Sequence, residues 1–123
     1  MNHLDTNVAI WLSQGQLGKI PPGVQRLMRR APRILSPIVM LELDLLYEQR
    51  RQALDGEMVR SKLAKMDVTV STASIADVAR AASHLSWTRE PWDRLIVANA
   101  IADGAKLVTA DTHIRKHFAD AVW

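Results

Sequence analysis

The chain has 123 residues, 48% of them hydrophobic, no cysteine, and a formal net charge of +3. This is one domain, residues 1–123, large enough to bury roughly two-thirds of its unfolded surface, so neither disorder nor covalent staples are needed. The lack of cysteine excludes disulfides and thiolate metal sites, no apolar run is long enough to span a membrane, and no signal-peptide pattern opens the chain, so a cytoplasmic protein is expected.

Met1 to Asp5 reads as a brief strand with Asp5 at its C-terminal end. Thr6 to Leu12 follows with helical spacing, with Val8, Trp11 and Leu12 sharing a face. Gln14 to Gly23 carries three glycines and two prolines and reads as a loop. Val24 to Arg30 is a short basic helix, stopped before Pro32. Arg33 to Ser36 is a second strand, and Ser36-Pro37 starts a helix with Ser36 as cap and Pro37 at the first position.

The helix expected from Pro37 to about Gln52 is apolar nearly all round, through Ile38, Val39, Leu41, Leu43, Leu45 and Leu46. A helix without a polar face is covered on two sides. One cover is the sheet, and a partner subunit against Leu41 to Tyr47 is expected to be the other. Glu42 has Ile38, Val39, Leu45 and Leu46 as its helical neighbours, so its carboxylate points into apolar surroundings. Asp44 falls nearer the helix edge.

Asp55-Gly56 breaks the chain. Glu57 to Met66 is an amphipathic helix with Met58, Leu63 and Met66 inward, Val68 to Val70 a third strand, and Ser74 to about Leu85 an Ala-rich helix with Ile75, Val78 and Ala82 on one face. The helix from Pro91 to Ala102 has a proline in its first turn and Gly104 just past its end. Asp93 lies in that first turn, with Ile96 and Val97 beside it. A carboxylate on an apolar face costs several kcal/mol unless something pairs with it. Lys106 to Thr109 is a fourth strand closed by Ala110-Asp111, Thr112 to Phe118 a last helix, and Ala121 to Trp123 an edge strand.

Strands alternating with helices specify an α/β domain with a mostly parallel sheet. In such sheets ligands sit outside the carboxyl ends of the strands, where the strand order switches. That rule brings Asp5 and Asp111 together, with Glu42 and Asp93 on helices at the same edge. Each acid alone has a structural explanation: Asp5 and Asp111 as helix caps, Asp93 facing a helix dipole, Glu42 as a lone paired charge. Four acids at one edge repel one another strongly and coexist comfortably around a divalent cation. Oxygen-only ligation selects Mg2+, with Mn2+ as the alternative, rather than zinc. The chemistry that uses such a cluster is hydrolysis of phosphodiesters by a metal-activated water. Eleven of the 16 basic residues are arginine, the better fork for phosphate. Arg29-Arg30 with Arg33, and Arg50-Arg51, form local clusters.

Leu4-Asp5-Thr6-Asn7, Ser36-Pro37 with Glu42, Pro91 to Ala100, and Leu107 to Asp111 together resemble the PIN-domain nucleases, and within them the VapC-type toxins of bacterial toxin–antitoxin pairs. The resemblance runs from residue 4 to about residue 118. It implies a three-layer α/β/α fold with about five parallel strands and an Mg2+-dependent endoribonuclease. It also implies an RNA substrate (transfer RNA among the family's targets), a homodimer and a cognate antitoxin. Carried over residue by residue, Asp5, Glu42, Asp93 and Asp111 bind metal and activate water, with Thr6 and Thr109 as polar support. Glu90 departs from the family's usual Asp before proline, and Asp is the better cap. The alternative is a catalytically weak PIN-fold module that binds RNA or protein. A phosphoacceptor receiver domain fits less well, because Thr6 and Asn7 stand where a second acid is wanted. So does a haloacid-dehalogenase-type phosphatase, which needs a second Asp at Asn7 and a longer chain.

His113 and His117, four apart on a short helix without the Glu of a zinc helix motif, are expected to be solvated. His3 and His84 read as isolated. The four tryptophans read as core or interface.

Overall fold

The computed structural model describes all 123 residues. The strands are β1 (Asn2–Leu4), β2 (Arg33–Leu35), β3 (Val68–Val70), β4 (Lys106–Val108) and β5 (Ala121–Val122). The helices are α1 (Thr6–Ser13), α2 (Pro22–Arg30), α3 (Pro37–Glu48), α4 (Gly56–Ala64), α5 (Ile75–Ala82), α6 (Pro91–Ala102) and α7 (Thr112–His117). The five strands form one parallel sheet in the order β3-β2-β1-β4-β5, the centre of an α/β/α arrangement. Strand order reverses between β1 and β4, where Leu4 pairs with Val108. Asp5 follows one of these strands directly, and Asp111 follows the other after two residues.

The strands are short and mostly buried, so β2 and β4 show adjacent apolar residues rather than alternation, while β1 buries Asn2 and His3 beside Leu4. The core joins Leu4, Leu35 and Leu107 of the sheet to Val8, Val39, Leu43, Leu63, Ile96 and Val97 of the helices. Helices α5 and α6 pack against each other, and α4 packs on α1 and α3.

Helix ends follow local chemistry. Asp5, Ser36, Asp55, Ser74, Glu90 and Asp111 each accept a backbone N–H through their side chains at a helix start. Glu90 uses both oxygens, accepting from the N–H of Trp92 (3.3 Å) and of Asp93 (2.6 Å), so the longer side chain caps this helix doubly. Helix α6 ends with Gly104 at φ 62°, and the following N–H of Ala105 reaches back to the Ala100 carbonyl. Helix α3 ends the same way without a glycine: Arg50 takes φ 57°, its N–H bonds Tyr47 O, and Arg51 N–H bonds Leu46 O at 2.8 Å. Holding a non-glycine residue in that region costs on the order of 1 kcal/mol. This turn stops α3 at Glu48, short of the expected Gln52.

Two inward faces differ from the sequence reading. Met58 is 43% exposed, and Val59 takes the inward position with Leu63, four residues on. Ile75 is 71% exposed, because it begins α5 and only Val78 and Ala82 reach the core. Leu41, Leu45 and Tyr47 on α3 are uncovered within the single chain, while Val39 and Leu43 are fully buried. His3 is far from isolated. It is fully buried, and its Nε2 donates to Asp103 Oδ2 at 2.6 Å, leaving Nδ1 without a partner. Burial lowers its pKa, outweighing the raising effect of Asp103.

Candidate active site

Asp5, Glu42, Asp93 and Asp111 all line one cleft of about 410 Å³ at the carboxyl ends of the strands. The sequence-derived quartet is therefore brought to one place by four elements: the end of β1, the middle of α3, the first turn of α6 and the start of α7.

Hydroxyls fix three of the four. Thr109 Oγ1 donates to Asp5 Oδ2 at 2.5 Å and accepts from Asp111 N–H at 3.0 Å, so one hydroxyl ties together the acids after β1 and β4. The other oxygen of Asp5 caps α1 through Thr6 N–H at 2.8 Å. Thr6 in turn donates its hydroxyl to Glu42 Oε2. Asp111 Oδ1 accepts from Ile114 N–H at 2.9 Å. The innocent cap roles of Asp5 and Asp111 are thus real, and each uses only part of the carboxylate.

Helices α3 and α6, which carry Glu42 and Asp93, are locked together one layer deeper. Buried Ser36 Oγ donates to buried Asn99 Oδ1 at 2.6 Å. Asn99 Nδ2 donates to Ser71 Oγ at 2.9 Å, and Ser71 donates to Asp103 Oδ2 at 2.6 Å. Ser36 was legible as a cap. The signal for Asn99 was an amide in the most apolar part of α6, a residue that is buried only when hydrogen-bonded.

Charge in the cleft is not compensated. None of the four acids enters an ion pair; the chain's three pairs are His3–Asp103, Arg60–Glu57 and Arg80–Asp77. Burial raises the pKa of Asp5 against the hydrogen bonds from Thr109 and Thr6, and the charges of Asp111 and Glu90 push the same way. Burial also raises Glu42 against the bond from Thr6, with Asp5 and Glu90 adding to it. Asp93 is pushed up to about 7, first by burial, then by the negative charges of Glu90, Asp5, Asp111 and Glu42. Glu90, outside the quartet, is thus the strongest charged influence on Asp93.

The cleft offers a hard, all-oxygen donor set with surplus negative charge, which suits Mg2+ or Mn2+. The acids stand around the cleft rather than closed on one point, and no three of the chain's His, Asp and Glu are drawn together tightly enough to grip one ion. Asn7, Leu46, Arg51 and Gln52 are also on the wall. Sequence reading had noticed Arg51 only as half of a basic cluster.

The histidine pair on α7 is solvated, as expected, and has a neighbour that the spacing did not show. Both side chains are exposed, but they pack on Trp87, whose ring lies parallel to His117 at 5.0 Å and edge-on to His113 at 5.4 Å. Trp11 and Trp123 meet at 5.9 Å.

The family model described as PIN domain matches residues 3–118. Among solved structures, a toxin–antitoxin complex from Klebsiella pneumoniae is 17% identical with a TM-score of 0.64, covering 100% of this chain and 97% of that one. VapBC2 from Rickettsia felis, bound to a DNA fragment from its promoter, is 20% identical with a TM-score of 0.63, covering 98% and 95%. At these identities the likeness shows a shared fold. No curated protein matches the sequence. No helix is long and apolar enough to cross a membrane.

Proposed function

Because the chain belongs to the PIN domain family, we propose that it is a metal-dependent endoribonuclease, the VapC-type toxin of a toxin–antitoxin pair. The observation that carries this reading is the single cleft lined by Asp5, Glu42, Asp93 and Asp111, with no cationic side chain neutralising any of them. These four are the residues that would hold Mg2+, or Mn2+ in its place, by closing on the ion from their present open arrangement around the cleft. When bound, the ion supplies an acidified water and stabilises the leaving oxygen of a phosphodiester.

The chain's own residues have separable parts in this. Thr6 and Thr109 hold Glu42 and Asp5 in fixed rotamers, which sets the cleft's shape before any ligand enters. Asp93 accepts no hydrogen bond from the protein, so both of its carboxylate oxygens are left for the ion. The Ser36–Asn99 bond keeps α3 and α6, and hence Glu42 and Asp93, at constant separation.

The partner reading draws on the two solved complexes, a toxin–antitoxin complex and VapBC2. A cognate antitoxin is proposed for this chain on that ground, and a homodimer on the uncovered Leu41 and Leu45 of α3, four residues apart on one face, whereas Tyr47 lies about 200° round the helix from Leu45 and outside that patch.

The test is cleavage of a labelled RNA in Mg2+ by wild type and by Asp93→Asn prepared side by side. Loss of about a hundredfold or more in the variant, and loss in both on adding chelator, is expected. Equal cleavage by the two would end the proposal. One observation favours the alternative, a PIN-fold module of weak catalysis that binds RNA or protein: the acids do not converge on one point. Calorimetric titration with millimolar Mg2+ and Mn2+ separates the readings, since the weak module gives no heat.

A further inference from the structure

The acid cleft has a neighbour. A second cavity, of about 650 Å³, lies beside Gln14 at the end of α1 and beside Tyr47, Glu48 and Arg50 at the end of α3. Arg51 and Gln52 line both cavities. The two spaces are thus successive stations along one surface path, with Arg51 between them.

Arg51 is the one Lys or Arg on the wall of the acid cleft. It stands beside four carboxylates yet joins none of the chain's ion pairs. Its backbone is fixed by its N–H bond to Leu46 O, and Leu46 itself lines the cleft. Helices α1 and α6 make the same terminal turn with Gly15 and Gly104 at positive φ, whereas α3 makes it with Arg50, which lines the second cavity. A phosphodiester entering a cleft of four acids is repelled unless a fixed cation holds it at the rim. The second cavity supplies two arginines against one acid, Glu48, and Tyr47 is 42% exposed there. Its ring offers a face for a base, and base–aromatic stacking on a basic groove is the general way that single strands are held.

We propose that this second cavity is a nucleotide subsite: a single-stranded RNA leaves the acid cleft over Arg51, which grips the phosphate next to the scissile one, and its neighbouring base stacks on Tyr47. The inference rests on the ribonuclease reading for the identity of the strand. It commits the strand to this side of the cleft, because the basic cavity beside Arg115, Lys116 and Trp123 shares no residue with the acid cleft.

The probe is a fluorescein-labelled single-stranded RNA of about ten nucleotides, followed by anisotropy in chelator so that no cleavage occurs. Arg51→Gln is expected to weaken binding about tenfold and to flatten the slope of log affinity against log salt by about 0.7. Tyr47→Leu is expected to weaken binding about tenfold with the slope unchanged. The double variant Arg115→Gln, Lys116→Gln should bind within about twofold of wild type. In cleavage, Arg51→Gln should raise KM more than it lowers kcat. Arg51 and Tyr47 are exposed, so matched melting curves verify that the fold is intact. An unchanged salt slope in Arg51→Gln, an equal loss in the α7 double variant, or no binding by wild type overturns the subsite. Binding that depends on Arg51 without any cleavage by wild type would sink the nuclease reading and leave the subsite standing. Cleavage with binding indifferent to Arg51 would do the reverse.

Discussion

Replacing Asp93 by Asn should stabilise the protein in the absence of divalent metal, and more so at high pH. The carboxyl has its pKa raised from 3.8 to about 7 by burial and by the charges of Glu90, Asp5, Asp111 and Glu42. Between those two values the folded state binds more protons than the unfolded one, so stability falls as pH rises through the window and levels off above about 7. A gap of about three pH units corresponds to about 4 kcal/mol when the group is fully ionised. The side chain is partly exposed, and solvent screening reduces the figure to about 2 kcal/mol. Asn carries no charge and escapes the penalty. Urea unfolding in chelator should therefore show Asp93→Asn ahead by about 2 kcal/mol near pH 8 and by no more than about 1 near pH 5. Millimolar Mg2+ near pH 8 should close the difference by stabilising wild type alone. A variant less stable than wild type near pH 8, or a difference that does not change with pH, would refute the claim that Asp93 sits in uncompensated negative charge.

Two further outcomes follow from packing. A Cβ at Gly56 would stand 2.3 Å from the Met40 carbonyl oxygen, a backbone atom that cannot move without α3, so Gly56→Ala should lower unfolding free energy by about 1–3 kcal/mol in urea. Leu45→Lys, at a position 38% exposed in the single chain, should leave the melting curve of the monomer fold near wild type but convert a dimer to a monomer by sedimentation at micromolar concentration; a wild type already monomeric there contradicts the dimer.

The amino-acid sequence by itself determined the succession of elements. Ser36-Pro37, Pro91, Gly104 and the apolar residues of β2 and β4 act over a few residues, through backbone hydrogen bonds and fixed φ, and the folded chain honours them. The rule that sites form where strand order switches then placed Asp5 and Asp111 together, and Glu42 and Asp93 were nameable because a carboxylate among apolar neighbours is costly. Only the tertiary structure decided which neighbour answers each group. That Thr6 reaches Glu42, that Thr109 spans Asp5 and Asp111, that Asn99 ties α3 to α6 and that His3 finds Asp103 all depend on how helices and strands far apart in sequence are set against one another. Met58 and Ile75 point to solvent for the same reason, since the phase of a helix against its support is fixed by the packing of Val59, Leu63, Val78 and Ala82. Arg51 enters the cleft wall because α3 ends at Glu48 and turns through Arg50, a choice that pattern alone extended to Gln52. Local chemistry sets where the backbone turns; the contacts between elements set what each side chain faces.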